Sequence, residues 1–183
     1  MNAYHIIIAG HGGQGILFAG KFISYAGMIR EKNVSWLPTY GPEMRGGTAK
    51  CSVIISDAPV GSPIVTKPDV LIAMNLPSLD RYEPECAIGA KVIVDSALVP
   101  RQLVRTDLAG YYIPAQKLAE DNGLHGLTNM IMVGKAIREI GVCAYEDIEA
   151  AMEKTVPERK KNLLSANLKA VEIGYNFPRY SFE

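Results

Sequence analysis

Six residues near the amino terminus, Gly10-His11-Gly12-Gly13-Gln14-Gly15, have the spacing G-x-G-x-x-G. Glycines so placed let a backbone come close to an anion, and the N–H groups opening a following helix turn partial positive charge toward it. The chemistry is therefore anion binding, and in its dinucleotide form the anion belongs to NAD or FAD. A dinucleotide site also needs an Asp or Glu about 20 residues on, at the end of the second strand, to hold a ribose hydroxyl. Here that strand, Val34-Ser35-Trp36-Leu37, runs into Pro38-Thr39-Tyr40, and the nearest earlier acid, Glu31, precedes it. The ribose anchor is missing. Three readings of the turn stay open: a structural tight turn, an NAD-type site, or a turn serving another anion or a partner chain.

A second stretch with chemical potential is the loop Tyr40 to Thr48, in which Glu43 and Arg45 stand beside Gly46 and Gly47. The planar guanidinium of Arg45 suits two phosphate oxygens at once; the bland reading is a pair of solvated loop charges. Gln14 has an amide able to donate and accept toward a ligand or partner, or it merely begins a helix. Asn75 ends an expected strand, where crevices open in doubly wound sheets, or makes a local turn contact. His11 reads as a hydrogen-bonding spacer rather than a catalyst. Arg159-Lys160-Lys161 sits near a helix start, against the helix dipole, and is expected to be a solvated or partner-facing cluster. Met130 and Met132 read as filler of a core or interface.

Several elements must position these groups. Ile6-Ile7-Ile8 forms the centre of a strand, Tyr4 to Ala9, buried on both faces, and apolar residues from Ile16 to Ile29 recur at helical spacing. Strand, glycine turn and helix make the opening unit. Further strands are expected at Val34 to Leu37, Ala49 to Ser56, Val70 to Met74, Lys91 to Asp95 and Tyr111 to Pro114, with a helix at Leu76 to Tyr82. From Ala115 the pattern is helical: Ala115 to Asn122, Leu127 to Ile140, Tyr145 to Lys154 and Pro157 to Ile173, with Gly141 and Gly174 read as C-caps. The expectation is one α/β domain over residues 1–183, a doubly wound, Rossmann-like and mostly parallel sheet with C-terminal helices.

Composition narrows the partners. Nineteen basic residues balance nineteen acidic ones, so no global field favours nucleic acid or anionic lipid. Cys51, Cys86 and Cys143 are far apart and form no C-x-x-C pair, which supports neither a disulfide framework nor a zinc or iron–sulfur site on this chain. Without a basic leader or a long apolar run, a cytoplasmic protein with no membrane span is expected.

The glycine turn taken together with Tyr40-Gly41-Pro42-Glu43-Met44-Arg45-Gly46-Gly47 resembles the gamma subunits of 2-oxoacid:ferredoxin (or acceptor) oxidoreductases. The likeness continues through Cys51-Ser52-Val53-Ile54-Ile55-Ser56-Asp57, Ser62-Pro63, Pro68-Asp69 and Ala73-Met74-Asn75, covering at least the first half of the chain in order. It implies an assembly that oxidatively decarboxylates a 2-oxoacid with thiamine diphosphate and magnesium, passes electrons through iron–sulfur clusters to ferredoxin, and releases an acyl-coenzyme A. Alpha and beta subunits, and a ferredoxin-like delta subunit where present, would carry most of the thiamine site and the clusters. This chain would bind no cofactor alone, be inactive in isolation, and supply the coenzyme A side of the site. The residues it would use are Gly12, Gly13, Gln14, Gly15, Tyr40, Glu43, Arg45, Gly46, Gly47, Thr48 and Asn75, none catalytic and none a metal ligand. Pro42-Glu43-Met44-Arg45-Gly46-Gly47 departs from the Gly-Pro-Glu-Arg-Arg-Gly-like loop of pyruvate-type chains and looks like the 2-oxoglutarate type, with the branched-chain type close to it. A free-standing nucleotide- or coenzyme-binding module and a structural scaffold are the alternatives.

Overall fold

Ile6, Ile7 and Ile8 are wholly buried, and successive side chains of a strand point to opposite faces, so apolar layers must cover both sides of the strand that holds them. In the computed structural model, which describes residues 3–39 and 48–178, this strand lies inside a six-stranded sheet. The elements are β1 (Ala3–His11), α1 (Ile16–Ile29), β2 (Asn33–Thr39), β3 (Thr48–Ser56), β4 (Val70–Ala73), α2 (Leu76–Tyr82), β5 (Lys91–Asp95), β6 (Ala109–Ile113), α3 (Ala115–Asp121), α4 (Thr128–Ile140), α5 (Ile148–Thr155) and α6 (Leu164–Asn176). Short 3-10 turns occupy Glu83–Glu85, Tyr145–Asp147 and Glu158–Leu163.

The strand order is β2-β3-β1-β4-β5-β6. β1 pairs in parallel with β4, β4 with β5, and β5 with β6, whereas β3 is antiparallel to both β1 and β2. Five strands thus point one way and β3 alone runs back between β1 and β2. The mostly parallel, doubly wound reading holds, with one reversed strand that the sequence pattern did not show.

Ile6 and Ile8 belong to a large core with Phe22 and Ile23 of α1 and Ile131 of α4. Ile7 and Ala9, one residue out of phase, join Leu79 of α2 and Val92 and Val94 of β5. α1 and α3 through α6 cover the first face; α2 and flanking loops, through Val65 and Val99, cover the second.

Of the two glycines read as C-caps, Gly141 is one: it ends α4 in the left-handed region at φ 69°. Gly174 is not. It lies inside α6, where a Cβ would collide with the carbonyl oxygen of Ile131, just as a Cβ at Gly134 of α4 would collide with that of Val171. These two glycines mark a close backbone crossing rather than a stop. The expected helices at 145–154 and 157–173 each begin with a 3-10 turn instead, and the second turn is kinked within itself at Lys160, φ −123°, before it runs into α6.

Candidate functional site

The neighbouring parallel strands β1 and β4 send their chains to opposite faces, β1 into α1 and β4 into α2. That divergence at the carboxyl ends of neighbouring strands is where open α/β sheets form ligand crevices. The glycine turn stands on one lip and Asn75 on the other.

The turn is built around Gln14. Its Oε1 accepts from the backbone N–H of His11 at 2.6 Å and from Nδ2 of Asn75 at 3.3 Å, while its Nε2 donates to the Met74 carbonyl at 3.3 Å. Asn75 in turn caps α2, its Oδ1 accepting from the Ser78 N–H at 2.9 Å. Gln14 therefore begins no helix: it lies before α1, and its amide clamps the ends of β1 and β4 together. Gly10 must lack a side chain because a Cβ would fall on Gln14 Oε1 and Met74. Gly13 and Gly15 adopt φ 93° and 72°, a region L side chains rarely enter, and Gly15 is the N-cap of α1. Asn129 of α4 donates to the Gly15 carbonyl at 3.0 Å and fixes the helix start from behind.

Among the expected site residues, Gly12, Gly13, Gln14, Gly15 and Asn75 thus converge on one edge. Tyr40, Glu43, Arg45, Gly46 and Gly47 lie outside the described residues, as does the side chain of Thr48. Among the described residues, Thr39 ends β2 paired with Lys50, and Thr48 opens β3 paired with His11, next to the glycine turn. The missing ribose acid now has a topological counterpart. β2 is not the neighbour of β1, because β3 intervenes.

His11 is exposed, Met130 and Met132 are core, and Lys161 of the basic run pairs with Glu158 at 2.8 Å. Burial pushes the thiols of Cys51 and Cys143 up to about 12 and that of Cys86 up to about 11. They are protonated and apart, and among the described residues no group of three His, Cys, Asp or Glu is placed to hold a metal. An iron–sulfur cluster or a metal-bound diphosphate does not fit them. Two residues escaped the sequence reading, Asn129 and Asn167. The only signal for either is a carboxamide on an otherwise apolar helix face.

The sequence profile of the pyruvate ferredoxin/flavodoxin oxidoreductase family matches residues 5–177. The ketoisovalerate oxidoreductase subunit VorA of Methanothermobacter marburgensis is 36% identical over 178 residues, 96% of this chain and 37% of the relative. The chain thus spans little more than a third of that relative. The 2-oxoglutarate synthase subunit KorC of Methanocaldococcus jannaschii is 35% identical over 165 residues, 87% of this chain and 88% of the relative. Among solved structures, the gamma subunit of a keto/oxoacid ferredoxin oxidoreductase from Geobacter sulfurreducens PCA superposes with a TM-score of 0.80 at 29% identity, covering 94% of this chain and 96% of that one.

Proposed function

The chain belongs to the pyruvate ferredoxin/flavodoxin oxidoreductase family, and from that premise we propose that it is the gamma subunit of a multi-subunit 2-oxoacid:ferredoxin oxidoreductase that takes 2-oxoglutarate and forms an acyl-coenzyme A. The observation that carries the substrate is the nearly end-to-end match with the KorC subunit, a separate chain of similar extent. Thiamine diphosphate, magnesium and the iron–sulfur clusters reside on the alpha and beta subunits, and on a delta subunit where there is one. In support of that division, the thiols are buried and scattered, and among the described residues no group of three His, Cys, Asp or Glu is placed to hold a metal.

Its own contribution is positional. The Gln14–Asn75 clamp holds Gly12, Gly13 and Gly15 at the sheet's carboxyl edge, where backbone N–H groups face an incoming coenzyme A or a companion subunit. Arg45, with Tyr40, Glu43, Gly46, Gly47 and Thr48, serves the same edge, supported by the pairing of Thr48 with His11. No helix among the described residues is long and apolar enough to cross a membrane; we place the complex in the cytoplasm.

The test is co-purification with the companion subunits and a ferredoxin-reduction assay over a panel of 2-oxoacids. The complex turns over 2-oxoglutarate in preference to 2-oxoisovalerate and pyruvate, and the purified chain alone turns over none. Turnover by the isolated chain overturns the subunit reading. A second substrate reading, branched-chain 2-oxoacids, is favoured by the VorA relative, which matches almost the whole chain at 36% identity. The same panel separates the two.

A further inference from the structure

Glycine backbone is loose, and the turn after β1 has two glycines at positive φ, Gly13 and Gly15, on either side of Gln14. Such a turn keeps one shape only if side chains tie it down from outside. Gln14 ties the front, toward β1 and β4. Behind the turn the tie is Asn129 of α4, whose Nδ2 donates to the Gly15 carbonyl at 3.0 Å. The same carbonyl accepts the Ala19 N–H at 3.0 Å, the bond that opens α1, so two donors converge on it.

The four residues after Asn129, Met130 to Val133, are wholly buried, and Asn129 is itself buried among them. A carboxamide in such surroundings costs desolvation that an apolar side chain of its size would not. Its amide donates away from its own helix, to the turn, whereas that of Asn167 donates to the Leu163 carbonyl one turn earlier in its own segment. α1 does not need this bond to stay in place, because Phe22 and Ile23 anchor it in the core. Apolar contact is non-directional, however, and does not set the rotation of a peptide plane; a hydrogen bond does. The Gly15 C=O and the Ile16 N–H belong to one trans peptide unit and point opposite ways. Holding the carbonyl toward Ala19 and Asn129 therefore aims the Ile16 N–H out of the helix start, on the side of the sheet's carboxyl edge. Gly15 is matched to this arrangement, since a Cβ there would fall on Asn129 Nδ2. Asn129 is braced in turn: its neighbour Thr128 donates to Gln116 Oε1 at 3.0 Å, and the Gln116 N–H donates to Asp95, at the end of β5, at 3.1 Å.

We propose that Asn129 is a positioning residue for coenzyme A. Without touching the ligand, it fixes the Gly15–Ile16 peptide so that the glycine-turn edge presents its N–H groups in one orientation. The inference rests on the reading that this edge meets coenzyme A, and adds the residue that sets the geometry of the edge from α4.

Steady-state kinetics of the complex assembled with its companion subunits test it, with coenzyme A varied at saturating 2-oxoacid. Asn129→Leu, close in volume, and Asn129→Ala, which cannot overfill the site, each remove the donor. Both raise the KM for coenzyme A about tenfold and leave kcat within about twofold of the parent, the pattern of lost binding rather than lost chemistry. Thr155→Val is the matched control: it deletes another buried hydrogen bond, from Oγ1 to the Ala151 carbonyl within α5 at 2.7 Å, and leaves that KM unchanged. An unchanged KM in both Asn129 variants, the same rise in Thr155→Val, or loss of assembly in both Asn129 variants overturns the proposal. A parent complex whose turnover does not depend on coenzyme A overturns the reading beneath it and the proposal together. A parent that saturates with coenzyme A keeps that reading whatever the Asn129 variants do.

Discussion

Asp95 shows how burial tunes a single group. Fully buried at the end of β5, it accepts the N–H groups of Ala97 and Gln116, each at 3.1 Å, and burial still outweighs those bonds and pushes its carboxyl up to about 6. The folded chain therefore holds this proton more tightly than the unfolded chain does. The stability it contributes is complete below the unfolded value of 3.8 and is lost as pH rises through about 6. A shift of this size is worth on the order of 2–3 kcal/mol. In urea denaturation, the destabilisation of Asp95→Asn relative to the parent should shrink as pH is raised across that window, and a difference independent of pH would refute the assignment. The thiols yield a second test. With all three pushed to about 11 or 12, Ellman's reagent at mildly alkaline pH should react slowly with the native chain and rapidly with three thiols after unfolding. Gln14 yields a third: Gln14→Leu orphans the His11 N–H, the Asn75 amide and the Met74 carbonyl, at a cost of roughly 1–3 kcal/mol read from the urea midpoint. Sequence exposed the glycines around Gln14 but not its role, because two of its three partners, Met74 and Asn75, lie about 60 residues away.

Among the elements, what is locally encoded was legible and what is not was hidden. α2 at Leu76 to Tyr82 and β5 at Lys91 to Asp95 have the bounds that their apolar spacing and flanking turns suggest. The direction of β3 has no such signature. Its Cys51, Val53 and Ile55 face α1 and would do so whichever way the strand ran. Gly174 misleads for a related reason: near a helix end a glycine reads as a stop, yet here its job is set by a helix some 40 residues earlier. The crossing of α4 and α6 is secured further by Lys135, 1% exposed, whose ammonium donates to Glu139 at 2.7 Å and to the Phe177 carbonyl at 3.0 Å. Alanine normally favours a helix over glycine by about 1 kcal/mol. At Gly134 or Gly174 the added methyl meets backbone that cannot yield, so either Ala variant should lose roughly 1–3 kcal/mol or more and melt earlier. A thermal midpoint at or above that of the parent would show that the crossing is looser than its geometry implies.

At the scale of the whole molecule, the two apolar layers are separate lists of residues but not separate structures. Ile6 and Ile8 serve one layer and Ile7 the other, and the same alternation passes through β4 with Leu71 and Ile72 and through β5 with Val92 and Ile93. Neither layer can melt while the other keeps its strands straight, because β1, β3, β4, β5 and β6 each supply both. The chain should therefore unfold in one step despite a length of 183 residues, beyond the size for which two-state behaviour is the safe assumption. Trp36, the single tryptophan, sits on the edge strand β2 at 41% exposure, far along the sheet from β6, and reports on the end least supported by neighbours. Its fluorescence and the far-ultraviolet circular dichroism should give coincident urea transitions. An earlier fluorescence transition would mean that β2 and β3 open as a unit of their own. If the proposed companion subunits bind only the folded chain, they move the common midpoint upward by mass action, so repeating the measurement in that proposed complex shows whether the edge and the core are held by the same contacts. A shift confined to the fluorescence signal would place the docking surface on the β2 edge; a shift shared by both signals requires contacts that the whole sheet feels.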